Sequence, residues 1–177
     1  LEAYLEVTPV PKDLYASYET SICTGESIQF ENTLAPGTAI DETVLSYEWS
    51  PAASLDNPYV LNPVASPQEN TTYSLLVRQG ECIISGSQVT VNVYSLPEGT
   101  VSDEVSIGHN ESVTLNATGG MYYEWSPAEG LNRTDVAAPE ASPEITTTYT
   151  VLIINEAGCE VERTVTVNVK NKLFIPN

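Results

Sequence analysis

Apolar side chains along this chain alternate with polar ones instead of recurring every three or four positions. In Tyr47-Glu48-Trp49 and Val89-Thr90-Val91-Asn92-Val93 every second residue falls on the same face, the period of a half-buried strand. No stretch of ten residues carries the 3.6-residue period of an amphipathic helix. The alternating runs are short, rich in Thr, Val, Tyr and Ser, and broken by Pro, Gly and Asn, so an all-β chain with many turns is expected.

The pattern repeats. Tyr47-Glu48-Trp49-Ser50-Pro51-Ala52 returns as Tyr123-Glu124-Trp125-Ser126-Pro127-Ala128, an offset of 76 residues. In the same register Leu55 maps to Leu131, Pro63 to Pro139, Ser66-Pro67 to Ser142-Pro143, Thr71-Thr72-Tyr73 to Thr147-Thr148-Tyr149, and Val89-Thr90-Val91-Asn92-Val93 to Val165-Thr166-Val167-Asn168-Val169. Upstream, Glu26-Ser27-Ile28 matches Glu111-Ser112-Val113 at an offset of 85, so the first copy holds nine extra residues within Asn32 to Ser46. Each copy reads as about seven short strands, the spacing of a Greek-key sandwich. The expectation is two tandem immunoglobulin-like β-sandwiches, residues 9–94 and 95–170. Residues 1–8, with Tyr4-Leu5-Glu6-Val7 before Pro9, read as the end of a preceding copy or a replacement strand, and residues 171–177 as a linker.

In each copy the Trp shares a strand face with the Tyr two residues before it, while the Glu between them points the other way. Trp49 and Trp125 are therefore expected in the cores. Tyr73 and Tyr149 stand where a buried tyrosine ties a sandwich corner through its hydroxyl.

Together, Tyr-Glu-Trp-Ser-Pro, Asn62-Pro63 with Ser66-Pro67, Thr-Thr-Tyr, Gly158-Cys159 and Val-Thr-Val-Asn-Val resemble the PKD-like, immunoglobulin-type repeats of large Bacteroidetes surface proteins. Leu173-Phe174-Ile175-Pro176-Asn177 is similar to the opening of the gliding-motility-associated C-terminal domain, a sorting signal of type IX secretion. The resemblance implies export across the outer membrane to the cell surface or medium, neighbouring repeats of the same chain as partners, and the type IX machinery as a partner through a sorting domain. Modules of this type serve as stalks in adhesins and as accessory units of secreted hydrolases.

Charge narrows the partners further. Six Lys and Arg against 24 Asp and Glu give a net charge of −18, which repels nucleic-acid phosphates and anionic membrane surfaces. No 18-residue apolar run and no basic-then-apolar leader is present, so neither membrane insertion nor a signal peptide is read, and the chain is expected to be an internal piece of a larger exported protein. The acid excess is 19 Glu to five Asp, whereas calcium loops concentrate Asp and Asn at short spacing. Glu98, Asp103 and Glu104, close to the linker, are the candidates for Ca²⁺, set against plain solvated charge.

Catalysis has little to build on. His109, the only histidine, lies in the turn-like Gly108-His109-Asn110-Glu111, and without a cysteine pair nearby it supports neither a nucleophilic triad nor a structural zinc site. No catalytic residue and no cofactor is expected, and the chain is read as a non-enzyme. A carbohydrate-binding role would rest on exposed aromatics, with Tyr122, Tyr59 and the inserted loop of the first domain the candidates; Tyr122 should point outward because it neighbours an inward Tyr123.

Three cysteines leave one over. Cys23 aligns with Gly108, while Cys82 and Cys159 occupy nearly equivalent places. Cys23 pairs either with Cys82 inside the first domain or with Cys159 across the junction. The second alternative arises because the turns bearing Cys23 and Cys82 belong at opposite ends of a sandwich, whereas a head-to-tail array apposes unlike ends.

Overall fold

A computed structural model describes residues 15–33 and 42–170. The expectations for residues 1–8 and 171–177, and most of the insertion in the first copy, lie outside these residues. The chain divides between Tyr94 and Ser95 into two compact units.

Unit 1 contains β1 (Tyr18–Cys23), β2 (Ile28–Gln29), a 3-10 turn (Glu42–Val44), β3 (Leu45–Ser50), β4 (Val64–Ala65), β5 (Thr71–Gln79) and β6 (Cys82–Tyr94). The main sheet runs β1-β6-β5-β3, with β1 parallel to β6 and the other neighbours antiparallel; β2 and β4 form a second, two-stranded sheet. The alternation explains which face is covered. Trp49, Tyr73, Leu75, Val77, Val89 and Val91 point inward from the main sheet and are buried with Phe30 and Ala65 from the opposite side. Phe30 packs on Trp49 at 5.1 Å between ring centroids and on Tyr73 at 5.4 Å. The polar edges of the rings are satisfied: Trp49 Nε1 donates to the Val60 carbonyl at 3.0 Å, and the Tyr73 hydroxyl bonds to Ser54 Oγ.

Unit 2 contains β7 (Thr100–Val101), β8 (Val105–Gly108), β9 (Val113–Thr114), β10 (Ala117–Thr118), β11 (Tyr122–Ser126), β12 (Glu140–Ala141), β13 (Thr147–Ile154) and β14 (Glu160–Lys170). Its main sheet, β11-β13-β14-β8, has the order and sense of the first, with β8 parallel to β14. The short pairs β9-β12 and β7-β10 lie apart from that sheet. Trp125, Tyr149, Val151, Ile153, Val165 and Val167 form the core with Leu115, which stands where unit 1 has Phe30. Trp125 Nε1 donates to the Val136 carbonyl at 2.8 Å, and the Tyr149 hydroxyl to the Glu129 carbonyl at 2.8 Å. Both units are all-β, immunoglobulin-like sandwiches.

Candidate functional site

The turn after β8 holds His109, exposed, beside Asn110 in the left-handed region at φ 62°. What organises this turn is Glu111, whose Oε2 accepts from the Gly108 N–H at 2.8 Å. Unit 1 builds the same turn with Glu26 Oε2 and the Cys23 N–H, also at 2.8 Å. Cys23 and Gly108 are thus structural equivalents, and His109 is a residue of the turn that Glu111 closes.

The cysteines are placed by strand register. Cys23 pairs with Tyr94 at the C-terminal end of β6, whereas Cys82 opens that same 13-residue strand. At 3.3 Å per residue the two are separated by about 40 Å, against the roughly 4.4–6.8 Å between Cα atoms that a disulfide spans. Cys82 is free and exposed, so the intradomain alternative, Cys23 with Cys82, is not formed. In the corresponding hairpin of unit 2, Cys159 is buried, its N–H donating to Asn155 Oδ1 and its carbonyl accepting from the Asn155 N–H, each at 2.9 Å.

The acidic residues weighed for Ca²⁺ are dispersed. Among the described residues no three carboxylate, thiol or imidazole side chains gather into a metal-sized cluster, so Glu98, Asp103 and Glu104 are not brought together. Glu104 instead accepts from Asn168 Nδ2.

The two candidate tyrosines are exposed, Tyr59 to 69% and Tyr122 to 58%. Each belongs to one copy alone: Tyr59 corresponds to Asp135 and Tyr122 to Ser46. Tyr59 lies in the loop between β3 and β4, whose backbone is pinned on both sides by Trp49, through the Trp49 N–H to the Pro58 carbonyl at 2.9 Å and Nε1 to Val60. The corresponding loop of unit 2 carries Arg133 bonded through two nitrogens to Asp135, a pairing whose hydrogen bonds hold the Asp135 carboxyl below its usual value.

Tyr122 belongs to a surface that sequence reasoning overlooked. On the outer face of the unit 2 sheet, Glu124 of β11, Leu152 of β13 and Glu162 of β14 form one cross-strand row, beside the row Tyr122, Ile154 and Glu160. A depression of about 280 Å³ is lined by Glu124, Trp125, Ser126, Thr150, Leu152 and Glu162. Comparing the two copies position by position along the outward face of each strand would have exposed it.

No protein-family model matches the chain, and no curated protein does. Among solved structures it is similar to the Drosophila OTK extracellular domains 3-5, at 12% identity and a TM-score of 0.48 over 88% of this chain and 60% of that one. It is similar also to the Sidekick-1 immunoglobulin domains 1-4, at 13% identity and a TM-score of 0.41 over 89% of this chain and 47% of that one. A third is DIP-gamma IG1+IG2, at 12% identity and 0.35 over 88% and 94%. The chain therefore spans less than two thirds of the first two. The likeness is one of fold, and the assignment rests on the strand order and register above.

Proposed function

We propose that this chain is a non-catalytic structural and adhesive segment, a spacer in a large exported bacterial protein that joins distal regions to a type IX sorting domain at the cell surface or in the medium. The observation that carries the reading is the cysteine arrangement within two copies of one sandwich. Only Cys82 is a free thiol among the three, and register excludes it as a partner for Cys23. A Cys23–Cys159 bond is the pairing left, and it would join the copies covalently; neighbouring repeats are then the first partners, and the surviving thiol of Cys82 stands at the hairpin equivalent to that of Cys159. An oxidised pair also fits an extracytoplasmic setting.

Trypsin tests the pairing cleanly, because cleavage at the Lys and Arg positions places the cysteines on separate peptides, 13–78, 79–133 and 134–163. Without reductant, 13–78 and 134–163 should run as one species that reduction separates, with 79–133 alone and alkylatable. A linkage of 13–78 to 79–133 would refute the spacer's covalent basis.

The exposed rings of Tyr59 and Tyr122 favour a second reading, a carbohydrate-binding accessory module of a secreted hydrolase. A glycan and polysaccharide panel, run on the intact chain with and without Ca²⁺, separates the two. A spacer binds none, whereas a carbohydrate module binds a glycan and loses it in Tyr122→Ala or Tyr59→Ala.

A further inference from the structure

Cys82 and Cys159 take the same place in their hairpins although the sequence spaces them differently. Cys82 opens β6 directly opposite Gln79, across the turn Gly80-Glu81. Asn155 is the counterpart of Gln79 at the offset of 76, and its N–H donates to the Cys159 carbonyl at 2.9 Å across the longer turn Glu156-Ala157-Gly158. The register shift in unit 1 makes up the missing residue. Ser85 lies opposite Val77 as Val161 lies opposite Ile153, but past the shift Ile83 lies opposite Arg78 and Ile84 is skipped. Without the shift Ile83 would face Gln79; with it, the cysteine does.

This hairpin position is one half of a pair. Cys159 is disulfide-bonded and buried, whereas Cys82 is free and exposed. The other half is the turn that ends β1 or β8, occupied by Cys23 in unit 1 and Gly108 in unit 2, each with its N–H held by a glutamate at 2.8 Å. Unit 2 thus carries the hairpin cysteine alone, and unit 1 carries both. In a Cys23–Cys159 bond, the turn cysteine of one copy joins the hairpin cysteine of the copy that follows. By the same rule the hairpin cysteine of unit 1 matches a turn cysteine in a copy ahead of it. A thiol left over in an oxidising setting points to a bond outside these two units.

We propose that Cys82 forms a disulfide with a further sandwich copy preceding unit 1, one that carries cysteine at the turn position of Cys23. The inference rests on the Cys23–Cys159 pairing, whose hairpin half is the precedent for Cys82. The bond forms by two exchanges with a small-molecule disulfide. One protein thiol displaces the first small thiol to give a mixed disulfide, and the other protein thiol displaces the second. Two protein thiols are oxidised, one disulfide is reduced, and both protons end on the small thiols released.

The test lengthens the intact chain by one copy. Residues 95–170 bearing Gly108→Cys and Cys159→Ala are joined ahead of Pro9, and the protein is folded in a glutathione redox buffer. Unit 1 already seats a cysteine in this turn beside Glu26, so Gly108→Cys suits the turn. Trypsin leaves each cysteine on its own peptide, 95–133 of the extension and 13–78, 79–133 and 134–163 of the chain. The expected links are 95–133 to 79–133, and 13–78 to 134–163. With His109→Cys in place of Gly108→Cys, the thiol moves by one exposed residue, and about tenfold less reduced glutathione should break the first link. The link of 13–78 to 134–163 reports a folded chain within the same molecule. If that link forms while Cys82 stays alkylatable, or if both thiol positions capture Cys82 equally, the proposal is overturned and the Cys23–Cys159 pairing stands. Absence of the 13–78 to 134–163 link, or a link of 13–78 to 79–133, overturns both.

Discussion

Tyr73 and Tyr149 occupy equivalent corners but anchor their hydroxyls differently. Tyr73 bonds to Ser54 Oγ; in the second copy that serine is Gly130, and Tyr149 donates to the Glu129 carbonyl instead. Gly130 has φ +77°, and a Cβ there would stand 2.8 Å from the Tyr149 hydroxyl and 2.9 Å from Pro143 Cα. Gly130→Ala should therefore destabilise unit 2 by about 2 kcal/mol, read as a lower urea midpoint at unchanged slope. Burial, and secondarily the charge of Glu129, raise the Tyr149 pKa above the usual 10.0. A raised phenol favours the folded state while neutral, so its contribution is complete below the unfolded value and is lost as pH rises through the folded one. Unfolding free energy should fall above about pH 10. In Tyr149→Phe the neutral-pH stability should drop by about 1 kcal/mol, and the alkaline decline should become shallower. It should not vanish, because burial also raises Tyr18 despite the Glu31 N–H that favours its phenolate.

At the level of strands and their packing, alternation and the repeat carried most of the fold. The pairs Tyr47/Trp49 and Tyr123/Trp125, and the Val-Thr-Val-Asn-Val strands, reveal their inward faces because a period of two admits only one assignment against a core. Three features stayed hidden for physical reasons. The residue-by-residue register of β1 against β6 is a long-range pairing that no local pattern encodes, although the sandwich topology already set the turns of Cys23 and Cys82 at opposite ends. The shift between Val77 and Arg78 opposite β6 is likewise set by the partner strand. The acidic row of unit 2 joins residues distant in sequence across three strands, so no local pattern marks it and only a comparison of the outward faces of the two copies would have found it. What fills the space opposite each Trp also differs, Phe30 in one copy and Leu115 in the other. Because the sandwich already accepts leucine there, Phe30→Leu should cost about 1–2 kcal/mol, through the lost ring contacts with Trp49 and Tyr73, and leave the near-ultraviolet spectrum folded. Loss of the fold would mean that the two cores are not interchangeable at this position.

Over the whole molecule the dominant property is charge. A net −18 on 177 residues, with only the Arg78–Glu48 and Arg133–Asp135 ion pairs among the described residues, leaves most carboxylates without a cation. Their mutual repulsion opposes compactness and is screened as the Debye length falls from about 30 Å at 0.01 M salt to about 8 Å at 0.15 M. Added NaCl should accordingly raise the melting temperature, most steeply at the low end of that range. CaCl₂ at matched ionic strength discriminates general screening from site binding. Since no three ligand side chains converge among the described residues, Ca²⁺ should stabilise no more than NaCl does. An additional calcium-specific rise, saturating with concentration and lost in Asp103→Asn, would instead mean that the region of Glu98, Asp103 and Glu104 closes around the ion, and that metal stiffens the chain in addition to any covalent link.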